Sequence, residues 1–189
     1  VCRTLALPFG SLHMPADAEK DHRLVYSHKG FPNKYGNSGI YMGFQVVSGK
    51  RLLTCQWKDL EISIRLEREN PDSLVVNLPF DEYAHAFYYN HKINCMTAEG
   101  YVRTHKHEWR FDKKDSFGIL DWGRGVWPFH NEWYWSNGSG WLEGEMFGFN
   151  LGCGFGNTDI ASENMLFYKG KSHKLGKVDF ELGKAYMDP

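Results

Sequence analysis

The 189 residues carry 22 basic and 23 acidic side chains, a formal charge of −1, with 42% apolar and 24% charged residues. Such a chain buries a core, and the missing long-range field excludes DNA, RNA or an anionic membrane surface as its main partner. No run of about 18 apolar residues spans a bilayer, and the four dispersed cysteines, Cys2, Cys55, Cys95 and Cys153, make neither a zinc knot nor a disulfide scaffold.

Residues 1–38 are the least regular, with exposed loops expected at 15–21 and 28–38 around one strand near 23–27. The start, Val1-Cys2-Arg3-Thr4, has no initiator Met and no signal-peptide layout, so the chain is expected to be a fragment or a processed product. Reduced thiols point to the cytoplasm. Strands follow at Ile40–Val47 and 52–57 around Ser48-Gly49. In Leu60–Arg68 the apolar Leu60, Ile62, Ile64 and Leu66 alternate with Glu61, Ser63, Arg65 and Glu67, the pattern of a half-buried antiparallel strand. Asn70-Pro71-Asp72-Ser73 reads as a turn, and 74–78 as the returning strand. Further strands are expected at 87–96, 99–104, Glu108–Phe111, 117–122, 131–141, 146–155 and Met165–Tyr168, with no helix, repeat or low-complexity tract. The fold class is all-β, one antiparallel barrel or sandwich unit over residues 1–189.

Six of seven Trp fall between Trp109 and Trp141, and half the glycines between Gly118 and Gly156, a clustering that points to a site. Within the run Phe117 to Pro128, Asp121 and Arg124 stand three apart among glycines and indoles, where glycine permits positive φ or close approach and a sharp bend is expected. The segments Leu120-Asp121-Trp122-Gly123-Arg124-Gly125-Val126-Trp127-Pro128, Trp133-Tyr134-Trp135, Phe149-Asn150-Leu151-Gly152 and Glu163-Asn164-Met165-Leu166-Phe167 resemble a bacterial family of unassigned function. That family is similar to the lipocalin-like superfamily of carotenoid 1,2-hydratases (hydroxyneurosporene synthases) and AttH-type proteins. The resemblance is specific over residues 100–175. It implies a lipocalin-like barrel, part of a two-barrel protein, and carries over no catalytic residue, because no hydratase motif is present.

Read from the residues alone, a turn at Glu143-Gly144 sets Trp133 and Trp135 opposite Gly154 and Gly152, and Asn137 opposite Asn150. A turn at Asn137-Gly138 is the competing register. The first arrangement offers indoles and carboxamides to a flat or hydrophobic small molecule, while the plain alternative is a packed core in which the indoles cover glycine. Asp121, with Glu163 as substitute, is the candidate acid for hydration or cyclisation, Arg124 a positioning group, and Trp122, Trp127, Trp133 and Trp135 the walls. His130, Asn137, Asn150 and Asn164 complete the candidate ligand-binding set. The competing reading of Asp121 and Arg124 is a structural ion pair. No cofactor and no metal are expected: His105-Lys106-His107-Glu108 lacks a third ligand, and Gly152-Cys153-Gly154-Phe155-Gly156 lacks the βαβ setting of a dinucleotide loop. Other readings of the same inventory are a non-catalytic lipid- or glycan-binding module, and a glycoside hydrolase drawing two carboxyl groups from Asp121, Glu132 and Glu163.

Overall fold

A computed structural model describes residues 6–7, 10–11, 22–28 and 40–181; the loops expected at 15–21 and 29–38 lie outside the described residues. Fourteen strands and no helix are present among them. β1 (Ala6–Leu7) and β2 (Gly10–Ser11) form a short pair. β3 (His22–His28), β4 (Ile40–Val47), β5 (Lys50–Trp57) and β6 (Leu60–Arg68) form an antiparallel meander, the expected strands with two-residue turns between β4, β5 and β6. Ser48 and Gly49, at φ 51° and 74°, supply the positive φ that a tight hairpin needs.

β7 (Leu74–Phe80) departs from expectation, because it does not return along β6. Both strands pair with β8 (Tyr83–Arg103), Arg68 opposite Met96 and Leu74 opposite Lys92, so they lie end to end along one edge of a 21-residue strand. The physical reason is local. The Asp72 amide donates to Asn70 Oδ1 (2.9 Å), an Asx turn, while the Arg68 guanidinium donates to the carbonyls of Asn70 and Pro71. The loop is thereby held as a jog rather than a reversal. The two strands expected at 87–96 and 99–104 are this one strand.

The opposite edge of β8 carries β9 (Glu108–Phe111) and β10 (Phe117–Val126), completing an eight-stranded sheet. The second sheet has the order β11 (Tyr134–Leu142), β12 (Glu145–Cys153), β13 (Met165–Tyr168) and β14 (Lys171–Lys174). Neither sheet closes into a barrel among the described residues. Glu143 and Gly144 adopt φ 54° and 80°, so the turn is there, and the Asn137-Gly138 alternative is overturned. Trp135 faces Gly152 and Asn137 faces Asn150.

β8 serves both cores through a bulge. Leu120 pairs with Ile93 but Gly118 with Met96, and Cys95 takes φ 59°. Asn94 and Cys95 therefore both face the smaller sheet: Asn94 Nδ2 donates to the Phe149 carbonyl (3.0 Å), and the Cys95 amide donates to Ser139 Oγ (3.1 Å). Cys95 packs there with Leu74, Met146 and Phe167, while Ile93, Met96, Ala98 and Leu66 form a separate core on the other face. Before the bulge, Tyr88, Asn90 and Lys92 look toward the smaller sheet with Leu74, Val76, Leu78 and Phe80 of β7.

Candidate functional site

The buried Lys92 side chain sits at the seam between the sheets, 3% exposed. Its ammonium donates to Asp121 Oδ2 on β10 (2.9 Å) and to Glu163 Oε2 just before β13 (2.6 Å), and lies 4.6 Å from the centre of the Trp135 ring. Asp121 is opposite Lys92 in the ladder, and its other oxygen accepts from Asn90 Nδ2 (2.7 Å). Glu163, 8% exposed, is further held by Asn150, whose Nδ2 donates to the Glu163 carbonyl (2.7 Å) and to Oε2 (3.3 Å). Asn150 Oδ1 in turn accepts from Trp135 Nε1 (2.9 Å) and from Asn137 Nδ2 (3.4 Å). Asn164 Oδ1 accepts from the Gly152 amide (2.7 Å), and its Nδ2 donates to the Gly176 carbonyl (2.9 Å). Two carboxylates, buried Glu163 and the partly exposed Asp121, share the one Lys92 ammonium.

Glycine makes the approach possible. A Cβ on Gly152 would fall on Glu163 Oε1, and one on Gly123 would lie 2.9 Å from Asn90 Nδ2. Neither residue has a positive φ, and β10 runs on through Gly123 and Gly125 to Val126, so the sharp bend expected there is absent. Close packing is what these glycines serve.

Next to the network the aromatic rings converge on Phe155. Trp133 lies 5.0 Å from it, Tyr88 4.5 Å, Phe80 5.5 Å and Trp127 5.9 Å, all in edge-to-face arrangements. Trp127 and Trp133 remain 46% exposed and Trp135 40%, so the indoles do not form a packed core. Burial pushes the Tyr88 phenol well above its ordinary value, and the nearby charges of Glu163 and Asp121 add to the shift. Tyr88 therefore remains a neutral hydrogen-bond donor.

The structure separates other members of the sequence-predicted set. Asp121 and Arg124 form no ion pair, because residues three apart on a strand face opposite sides. Arg124 instead lies over the Tyr89 ring (5.6 Å), where Trp122 also packs edge-on (5.9 Å), on the far face of the sheet. Arg124 and Trp122 thus face away from Asp121. His130 is exposed and contacts Phe129. Glu132 is exposed and accepts from the Tyr134 hydroxyl (2.7 Å), without joining the two carboxylates on Lys92.

Comparison with protein families matches residues 2–189 to a family described as a domain of unknown function (DUF2804). The chain belongs to that family. No curated protein and no solved structure matches it. Membership in DUF2804 extends beyond the residues 100–175 that carry the sequence resemblance and brings no assigned activity.

In this DUF2804 chain the residues missed by sequence reasoning are Lys92, Asn90, Tyr88 and Phe155. Asn90, Lys92 and Asn94 alternate with His91 and Ile93, a pattern that ordinarily marks polar residues as the solvent face; here a second sheet covers them. A groove of about 580 Å³ lies elsewhere, lined by Thr54, Ser63, Arg65, Glu99, Tyr101 and Arg110, and includes none of the predicted site residues. Arg65 pairs with Glu99 there, Arg110 pairs with Glu108 outside the lining, and no tryptophan lines the groove, so the indole-walled seam is the stronger candidate for an apolar guest.

Proposed function

We propose that this chain binds a small molecule whose flat or apolar body lies against Trp127, Trp133 and Trp135, and that its architecture is lipocalin-like, from a two-barrel protein. The observation that carries the reading is the set of three half-exposed indoles beside a Lys92–Asp121–Glu163 network whose Lys92 and Glu163 are buried. Exposed aromatic surface of this kind gains most from covering by an apolar guest, while Lys92 and Asn150 fix Trp135 and Phe155 packs against Trp127 and Trp133. The free thiols of Cys55, Cys95 and Cys153 support a reducing compartment, the cytoplasm.

Binding is favoured over hydration or cyclisation by Asp121. A general acid must present an O–H to its substrate, and both Asp121 oxygens already accept hydrogen bonds, from Asn90 and Lys92. A glycan is less well served, because Asn150 and Asn164 are fully buried and their carboxamides are consumed internally. For glycoside hydrolysis two carboxylates do lie close together: laid end to end, the two Lys92 contacts put Asp121 Oδ2 and Glu163 Oε2 no more than about 5.5 Å apart, at or below the separation of a retaining pair. Lys92 occupies the space between them, where the sugar's reacting carbon would have to sit.

The test is tryptophan fluorescence titrated with uncharged long-chain isoprenoid alcohols and, separately, with oligosaccharides. Saturable quenching by the isoprenoid series, lost in Trp133→Ala, is expected. A response to the oligosaccharides alone replaces the apolar ligand with a glycan, and silence in both series contradicts ligand binding here.

A further inference from the structure

The sheet face opposite the indole seam ends in a second cluster, which is basic. Arg51, the second residue of β5, lies opposite Val46 on one side and Leu66 on the other, and so shares the apolar face of Leu66, Ile93 and Met96. Arg68 lies two residues beyond Leu66 on that same face, a diagonal neighbour of Arg51 at about 7–8 Å between backbones. His91 is two residues before Ile93 on this side of β8, and its Nε2 contacts Ser73 Oγ at 3.1 Å.

Arg51 is only 5% exposed, and its Nε is buried without a hydrogen-bond partner. No carboxylate among the described residues pairs with Arg51 or Arg68. The nearby acids are otherwise engaged: Asp72 Oδ2 accepts from the Ser172 amide (2.9 Å) and hydroxyl (2.8 Å), and Glu69 Oε1 accepts from the Thr97 hydroxyl (3.0 Å). Arg68 spends Nε and one terminal nitrogen on the Asn70 and Pro71 carbonyls. Burial and the Arg68 charge both lower the Arg51 guanidinium from its ordinary value, and burial, Arg68 and Arg51 lower the His91 imidazole, which agrees with positive charges gathered together; Asp72 feels the Arg68 charge but makes no ion pair with it.

A buried guanidinium with an unmet donor is costly unless an acceptor arrives, and its planar fork matches an oxyanion. We propose that Arg51, Arg68 and His91 form an oxyanion-binding site for a carboxylate or phosphate group, separate from the indole seam. The half-buried Arg68 and His91 give the way in, with Ser73 as a further hydroxyl donor. The half-buried Leu53, Ile64 and Leu120 belong to the same apolar face, so the anion is either free or the head of an acyl chain.

The experiment is thermal unfolding and calorimetric titration of the full chain with inorganic phosphate and with laurate, using sodium chloride at matched ionic strength as control. Saturable stabilisation by either oxyanion beyond the chloride control is expected, with laurate much tighter than phosphate if an acyl chain is recognised and equal response if the head group alone is. Arg51→Met should weaken binding about tenfold or more, the worth of one charge-assisted hydrogen bond. Without oxyanion the same variant should melt no lower than the parent, since an apolar side chain replaces an uncompensated buried charge. Trp133→Ala should leave the response intact, which separates this site from the one proposed above. The proposal is overturned if neither oxyanion exceeds chloride, if Arg51→Met responds like the parent, or if Arg51→Met melts well below the parent in every buffer, the mark of a guanidinium paired within the chain.

Discussion

Replacing Lys92 by Met tests the network beneath the indoles. The substitution keeps the apolar stem but removes the ammonium that bridges Asp121 and Glu163. The two halves of the loss differ. Asp121 is 35% exposed, so water screens its bond and the contribution is that of a surface pair, about 0–1 kcal/mol. Glu163 is covered by protein, and after the substitution its carboxylate keeps only the long Asn150 contact of 3.3 Å. Stranding one member of a buried pair costs about 3–5 kcal/mol, and the surviving contact places this case near 3. That is a large part of the 5–15 kcal/mol that holds an ordinary domain together. The assay is equilibrium urea unfolding followed by far-ultraviolet circular dichroism, within a double-mutant cycle that includes Glu163→Gln. Lys92→Met in the Glu163→Gln background should lose at least 2 kcal/mol less than in the parent, because the stranded charge is gone. A loss below about 1 kcal/mol, or one indifferent to residue 163, refutes the reasoning.

Gly152→Ala should cost about 1–3 kcal/mol, since the new methyl lands on a Glu163 carboxylate that Lys92 and Asn150 hold in place; a melting curve like the parent's would contradict this. Trp133→Ala removes a half-exposed ring whose main partner is Phe155 and should lower stability by about 1 kcal/mol in chemical denaturation, far less than Lys92→Met. Hydrogen bonds from Lys113 and Lys50 hold the Glu67 carboxyl down to about 2. Its contribution to stability is therefore complete above its unfolded value near 4.5 and is lost as pH falls toward and through about 2. The stability difference between the parent and Glu67→Gln should be constant from pH 5 upward and shrink across that window, and a difference that grows on acidification would reverse the assignment. Burial pushes the Cys95 thiol up to about 11, so iodoacetamide at pH 8 should leave it unmodified in the folded protein, as read by peptide mass spectrometry.

Most of the strand pattern was legible because one face of each strand is buried and period-two alternation reports that directly. The expected bounds of β4, β6, β9 and β13 match those observed. The Glu143-Gly144 turn was legible too, and with it the pairs Trp135–Gly152 and Asn137–Asn150. The centre of the candidate site was not. Lys92 has nothing in its neighbourhood to distinguish it from a solvated strand lysine, because its burial comes from β11–β13, some 40 to 75 residues further along. The bulge at Cys95 then reverses which residues of β8 face which core, and no glycine or proline marks it. Asp121 and Arg124 invited pairing by proximity in sequence, whereas strand geometry sends them to opposite faces once β10 continues past Trp122.

The central claim, a guest molecule held against Trp127, Trp133 and Trp135, is tested most directly by fluorine NMR on protein labelled with 5-fluorotryptophan, each resonance assigned by single Trp→Phe substitution. Titration with an isoprenoid alcohol should shift those three resonances in a saturable way and leave Trp57 and Trp109, on the larger sheet's distant strands, where they were. Shifts spread evenly over all seven, or confined to tryptophans away from Phe155, would contradict the account.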